Sequence, residues 1–389
     1  MCPEALIEHV ENMTKIFRSE QFPDFYIRSA YASDNEQLIQ LSSQQIDCGV
    51  FRLNMCAYPS YLVVSQLQYN RSETKVIVLE KQPEVIVGML NIGWKYCYIN
   101  EQPDLIRYIS DLNINCNYRD RQLIRFFIQF MHETIPKRTV IQSIVPQQHP
   151  ILQSVFYKAG THAAHTEVHD DVHIYNLTNM PEPEQYTSFR FECLASHNIV
   201  DANQYLESMK KFYNFLPNYD LRALMNHEQP FWCGLKLNDF FVVYNKLNQI
   251  IGFYGLWDQT AFKKTSIADY HYPYKILRLL YNCISHFNSG QYFPKPGKVM
   301  NYANLHSALC HPDHQDVFAS LLYHATLQAK QRRLTSFSFA LSEHDPRCKA
   351  LVGLKYYRMK AKHALHCFGE PKTFELDGNK INYFELGRL

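Results

Sequence analysis

The 389-residue sequence has little glycine, 13 in all, and no excess of either charge: 39 Lys and Arg stand against 37 Asp and Glu. Near-neutrality excludes the basic face that a phosphate backbone would need, so no nucleic-acid partner is expected. No apolar run approaches the roughly 18 residues of a membrane helix, so no membrane span is expected either. The opening MCPEALIEHVENMTKIF is acidic and amphipathic, without the basic start and apolar stretch of a secretory leader. The 11 cysteines follow no regular spacing, which argues for reduced thiols in a cytoplasmic protein.

What is present is a large apolar and aromatic complement, 46% hydrophobic with 27 Tyr and 25 Phe. That excludes a disordered chain, and the length favours two domains. The segment TNMPEPEQYTS, Thr178 to Ser188, interrupts both helical and strand periodicity and reads as a linker. It separates an N-terminal domain, 1–180, from a C-terminal domain, 186–389.

The two parts repeat one order of elements. KVIVLEKQPEVIVGMLNIGW (Lys75–Trp94) and FFVVYNKLNQIIGFYGLWD (Phe240–Asp258) each read as a hairpin of buried strands, with Gly88 or Gly252 inside the second. Trp94 and Trp257 close those strands. Upstream, FYIRSAYASDNEQLIQLSSQ and FRFECLASHNIVDANQYLESMKKF each predict a strand followed by an amphipathic helix. Downstream come a strand, a turn, a long helix and a further strand (TVIQSIVP and TSFSFALS), then a short helix and closing strands. The second part adds a helical insertion, YKILRLLYNCISHF (Tyr274–Phe287), expected to roof an acceptor pocket. The expected fold class is α+β, with two separate, mixed, twisted sheets flanked by helices.

The turn after the third strand is LNINCNYRDRQLIRFF (Leu112–Phe127) in the first part and ALCHPDHQDVFASLL (Ala308–Leu322) in the second. A turn opening a helix offers unpaired N–H groups at the positive end of the helix dipole, which suits a pyrophosphate. Neither stretch contains glycine.

Order and turn together resemble the GNAT superfamily of acyl-CoA N-acyltransferases, in two tandem copies with degenerate phosphate turns. The family pattern is alternating apolar residues, a proline, an aromatic, Arg or Gln, and two Gly or Ala positions. Leu112, Ile114, Cys116, Tyr118 and Arg119 fall on it in the first part, with Gln122 and Ile124 at the glycine positions. Ala308, Cys310, Pro312, His314 and Gln315 fall on it in the second, with Phe318 and Ser320 there. The resemblance implies acetyl-CoA or another acyl-CoA as co-substrate, an amine acceptor and no metal. It assigns Leu112, Ile114, Arg119, Arg121, Gln122 and Ile124, and Ala308, Leu309, Cys310, Gln315, Asp316, Phe318, Ala319 and Ser320, to cofactor binding. Arg119 and Arg121 favour an anion, whereas Asp313 and Asp316 oppose one.

GNAT enzymes commonly place a base on the strand before the turn and a tyrosine acid on the later short helix. That makes Asp111 and His306 candidate bases. Tyr356 is the candidate acid, with Tyr357 and, in the first part, Tyr157 or Phe156 as alternatives. The histidines of THAAHTEVHDDVH scatter over both faces of a strand and do not converge on a metal. Pro312, the small Ser320 and the titratable His306 favour chemistry in the second part. The alternative function is a catalytically inactive binding or scaffolding protein.

Overall fold

A computed structural model describes residues 16–47, 50–147, 165–179, 189–225, 230–287, 294–368 and 375–389. In the first half, β1 (Phe25–Ser29), α1 (Asn35–Ser42), β2 (Gln44–Asp47), β3 (Phe51–Ala57) and α2 (Tyr61–Gln68) precede the hairpin β4 (Arg71–Leu79) and β5 (Gln82–Ile99). Then follow β6 (Gln102–Ile114), a 3-10 turn (Cys116–Arg121), α3 (Leu123–Thr134), β7 (Ile141–Pro146) and β8 (His165–Asn179).

The second half runs β9 (Arg190–Cys193), α4 (Ile199–Ser208), the short β10 (Tyr213–Asn214) and β11 (Leu216–Pro217), then β12 (Phe240–Tyr244) and β13 (Ile250–Asp258). It continues with β14 (Lys263–Tyr270), α5 (Tyr274–Phe287), β15 (Tyr302–Cys310), α6 (Gln315–Gln331), β16 (Ser336–Ser342), β17 (Lys355–Cys367) and β18 (Ile381–Asn382).

The elements follow from periodicity. In α3, Leu123, Phe126, Phe127, Phe130 and Met131 are buried at helical spacing and lie on one face of the first-half sheet. In α6, Val317, Phe318, Leu321, Leu322 and Ala325 do the same for the second. Gly88 and Gly252 occupy matching places beneath these helices. A Cβ on Gly88 would meet Ile114 Cδ1 at 2.7 Å and Phe127 at 3.3 Å. On Gly252 it would meet Val243 and Val317 at 3.2 Å.

The α+β class is the expected one, and the expected hairpin, strand, turn, helix and strand recur in both halves. Strands β2, β3 and β14 and helix α2 were not expected, the short helix expected in the first half lies outside the described residues, and the two separate sheets are not found. One 13-stranded sheet runs β1-β4-β5-β6-β7-β17-β8-β16-β15-β13-β12-β9, with β11 added to β5. The halves are joined by an exchange. The second half's β17 pairs with the first half's β7, while the first half's β8 pairs with β16. β8 and β17 also pair with each other from Lys355↔Asn179 to Cys367↔His165. Each half thus completes its sheet with a strand of the other; β8 takes in Thr178 and Asn179 of the expected linker, and residues 180–188 lie outside the described ones. A three-stranded sheet, β14-β3-β2, also draws on both halves.

Two further expectations are corrected. Trp257 stands one residue before the end of β13, but Trp94 does not close β5, which runs on to Ile99. Trp94 is an even number of residues beyond Gly88, Trp257 an odd number beyond Gly252. With a side-chain period of two they face opposite sides. Trp257 is buried, whereas Trp94 is sandwiched at the surface between Arg71 and Arg107. Helix α5 rests beside β14 with Ile276, Leu277, Leu279 and Leu280 exposed, so it presents an outer face where a pocket roof was expected.

Candidate functional site

Each half contains a fork in the sheet. β6 and β7 run parallel and pair only from Arg107↔Ile141 to Ile109↔Ser143, then diverge. β15 and β16 pair only from Tyr302↔Ser336 to Asn304↔Ser338. Just past each fork the inner strand carries a bulge: the register against β5 shifts between Met89 and Asn91, and that against β13 between Phe253 and Gly255. The extra residue puts Asp111 at φ 52° and Ser307 at φ 51°. Such positive φ values cost a non-glycine residue roughly 1 kcal/mol, and bulges of this kind re-aim side chains beside active sites.

The second fork is filled. Arg347, buried and paired with Asp345 (2.7–3.1 Å), donates from Nη1 to the Ala308 carbonyl at 2.8 Å. Its guanidinium lies between the rings of Phe318 and Tyr213, at 4.9 and 5.0 Å. Tyr213 donates its hydroxyl to the Cys310 carbonyl at 3.1 Å, and the Ser307 N–H donates to Glu385 Oε2 at 2.6 Å. The backbone groups that a bound chain would use on β15 are therefore already satisfied. Leu309, Phe318, Ala319 and Ser320 are buried, and the Ser320 hydroxyl donates to the Asp316 carbonyl within α6. Gln315 is half-buried at the start of α6 and Asp316 is exposed.

His306 is sealed as well. It is surrounded by Tyr219, Trp232, Phe240 and Trp257, with ring centroids 5.1–5.8 Å away. Arg388 Nε donates to its Nε2 at 3.1 Å, so Nδ1 bears the hydrogen and donates to Ser307 Oγ at 2.9 Å. Burial, reinforced by Arg388, holds its pKa well below the ordinary imidazole range. A ring with both nitrogens engaged and no approach from solvent does not serve as a base, which corrects the assignment of His306. Tyr356 stands at the edge of β17, packed edge-on against Tyr175 at 5.1 Å. Phe156 and Tyr157 lie outside the described residues.

The first fork differs. Among the described residues, no side chain caps the backbone of Leu112–Ile114, and Arg119, Arg121 and Arg125 are exposed around the turn and the start of α3. Gln122, at the first glycine position, adopts the left-handed conformation (φ 56°, ψ 27°) that glycine would favour. Ile124 is partly buried against the aromatic core. Leu112 and Ile114 pack there too, leaving the strand's backbone edge at the fork.

Asp111 accepts from the Tyr61 hydroxyl at 2.8 Å, and its neighbour Ser110 accepts from Tyr69 at 2.9 Å. Burial raises the Asp111 carboxyl above the usual range, with Tyr61, Lys263 and Ser110 opposing. Burial pushes Lys263 down to about 8, against the attraction of Asp111. The same face of β6 leads from Ser110 past Tyr108 to a cleft between the halves. Lys95, Ile106, Phe215, Tyr219, Glu385 and Arg388 contribute to its walls. Lys95 Nζ lies 3.7 Å from the centre of the Tyr108 ring, and burial lowers it to about 7. Burial raises Glu385 to about 7. The sequence reading missed Lys95, Lys263, Glu385 and Arg388. The one available signal was Lys95, a cation inside the otherwise apolar end of β5.

Among the described residues no three metal-ligating side chains form a group, and no described helix is long and apolar enough to cross a membrane.

No protein-family model matches the sequence, and no curated protein is significantly similar to it in sequence. Solved structures do share its fold. One is a GCN5-related glucosamine N-acetyltransferase region in a fungal multi-domain GH3 beta-N-acetylglucosaminidase, with TM-score 0.57 and 11% identity. That match covers 88% of this chain and 38% of the other, so the chain spans well under half of that protein's length. Another is Saccharomyces cerevisiae N-myristoyltransferase with bound myristoyl-CoA, with TM-score 0.56 and 11% identity over 93% of this chain and 86% of that one. A further structure of the same yeast enzyme with myristoyl-CoA gives TM-score 0.54 at 10% identity. The architecture is thus the GNAT fold in two lobes, a fold shared with N-acyltransferases.

Proposed function

We propose that the protein is an acyl-CoA-dependent N-acyltransferase whose donor lies in the first fork, between β6 and β7. The observation that carries this is the contrast between the forks: the first leads to an exposed turn with three arginines, the second is filled by Arg347 and its partners. This moves the chemistry from the second half, where the sequence favoured it, to the first. The pyrophosphate lies against the N–H groups at the start of α3, with Arg119 and Arg121 supplying countercharge. The pantetheine arm lies along Leu112–Ile114, which brings the thioester to the bulge at Asp111.

Asp111 accepts the proton of the incoming amine. The amine nitrogen then attacks the thioester carbonyl carbon; the C–N bond forms, the C–S bond breaks, and the electron pair leaves on sulfur, which takes up a proton. The second half acts as support, the inactive-scaffold reading confined to that half. Cys56, Cys97, Cys116, Cys193, Cys233, Cys310, Cys348 and Cys367 are free, which supports a reducing, cytoplasmic setting.

Calorimetric titration with CoA and acetyl-CoA tests the reading, followed by thiol release from acetyl-, succinyl- and myristoyl-CoA in the presence of amines. Absence of CoA binding would remove it.

A further inference from the structure

Helix α5 is mounted against its own pattern. Lys275, Arg278 and Asn282 follow one another at helical spacing on one side, and Ile276, Leu277, Leu279 and Leu280 occupy the other. A surface helix normally turns its apolar side inward. Here the polar side faces the protein: Arg278 and Asn282 are half-buried. The Arg278 guanidinium lies 5.5 Å from the centre of the Tyr270 ring at the end of β14 and donates to the Pro294 carbonyl at 3.4 Å. Ile276, Leu277, Leu279 and Leu280 are 46–58% exposed, and Tyr272 and Tyr274 stand exposed at the helix start. Adjacent aliphatic side chains held in water forgo the burial that drives folding, so a patch of this kind marks a surface with an apolar partner.

The charge around the patch identifies the partner's chemistry. From His271 to Met300 the chain has four Lys or Arg and no Asp or Glu, although the two signs nearly balance over the whole sequence. Tyr270 donates to the same Pro294 carbonyl at 2.8 Å, which ties the segment returning from the helix to its base. That segment runs along β14, with the Gly297 N–H donating to the Ile267 carbonyl at 2.8 Å and Val299 bridged to Ser266. It presents Lys295, Lys298 and Val299 to solvent. Lys275 is exposed too, and Asp269, the carboxylate before the helix, is shared between Lys275 at 3.8 Å and Arg52 at 3.5 Å. Protein interfaces are poor in Lys and have rims of mixed polarity. Aliphatic and tyrosine side chains bordered by lysines match instead the layers of an anionic bilayer, hydrocarbon below and charged headgroups above. The 14 residues of α5 span about 21 Å, less than the roughly 30 Å of a hydrocarbon core, so the helix lies along such a surface.

We propose that α5 and the segment after it seat the protein on an anionic lipid bilayer. Ile276, Leu277, Leu279 and Leu280 enter the boundary between headgroups and acyl chains, while Lys275, Lys295 and Lys298 meet the headgroup charges. Arg278, held by Tyr270 and Pro294, keeps the apolar side outward. This assignment goes beyond the acyltransferase reading and does not rest on it.

The full chain is sedimented with vesicles of phosphatidylcholine alone and of phosphatidylcholine with about 30% phosphatidylserine. Binding is expected to be at least tenfold stronger on the anionic vesicles and to fall several-fold as NaCl rises from about 0.1 to about 0.5 M. Leu279→Glu combined with Leu280→Glu should weaken it at least tenfold, and Lys295→Gln combined with Lys298→Gln several-fold. These side chains are exposed, so thermal midpoints should match the wild type. Leu280→Trp gives a second readout: relative to the wild type, its emission should shift to the blue on anionic vesicles. Equal sedimentation with both vesicle types, undiminished binding in the double Leu variant, or an unshifted emission overturns the proposal. So does a dimer, seen in sedimentation velocity without lipid, that the double Leu variant dissolves, since the face would then belong to a second copy of the chain.

Discussion

Arg347 donates its Nη1 hydrogen to the carbonyl of Ala308 across the second fork, a contact of 2.8 Å made by a side chain only 1% exposed. One guanidinium thereby occupies the space between two diverging strands and satisfies a backbone group that would otherwise await a ligand. The ion pair with Asp345 makes the plug costly to disturb.

Removing one partner of a buried pair leaves the other charge uncompensated. Arg347→Met is therefore expected to destabilise the protein by about 3–5 kcal/mol, seen as a lowered midpoint in urea denaturation. A stability change below about 1 kcal/mol would mean that Asp345 has another route to solvent or countercharge.

The assignment of the donor to the first half makes the two turns unequal. Arg119→Glu combined with Arg121→Glu should weaken CoA at least tenfold, and the loss should shrink as salt is raised. Asp316→Asn in the second turn should leave CoA affinity within about twofold, because that turn leads to a filled fork. The opposite pattern would return the donor to the second half.

Asp111 sits where a proton acceptor is needed, and Tyr61 would still have an oxygen to donate to in Asp111→Asn. That variant should keep its affinity for CoA and lose about 10²–10⁴ in kcat. Because burial raises the Asp111 carboxyl, the acid limb of the kcat profile in the wild type should lie above the ordinary carboxylate range. An unaltered kcat in Asp111→Asn would remove it from the mechanism.

Glu385 links stability to pH. Its carboxyl is raised from 4.5 to about 7 by burial, so the folded form holds a proton that the unfolded chain has released. Stability from this group is retained at low pH and falls as pH rises from about 4.5 to about 7, by about 3 kcal/mol across the window. Glu385→Gln, whose amide oxygen can still accept from Ser307 and Tyr383, should flatten the stability curve in that interval. A curve of unchanged slope in thermal melts between pH 4.5 and 7 would contradict the account.

Much of the fold was legible in the sequence because its signals are local. The hairpins, the strand–turn–helix steps and the inserted helix follow from periodicities of two and 3.6 and from turn residues, all set by neighbours along the chain. The positions of both turns, and Asp111 on the strand before the first, were read from the same patterns. His306 was misjudged because its residue type is visible in sequence but the four rings around it and the guanidinium of Arg388 are not.

Sequence by itself determined the order of elements, where each strand and helix could form, and where a turn could face an anion. It also placed a glycine inside the second strand of each hairpin. Only the tertiary structure decided that β8 and β17 cross between halves, since every strand edge offers the same N–H and C=O groups and the choice rests on which edges meet. It also decided that the second fork is filled: Arg347 and Glu385 are remote in sequence from the parts of β15 they satisfy, and Lys95 from the Arg388 it faces. Charge and burial become function only when distant segments share one low-dielectric space, and local sequence does not encode that distance.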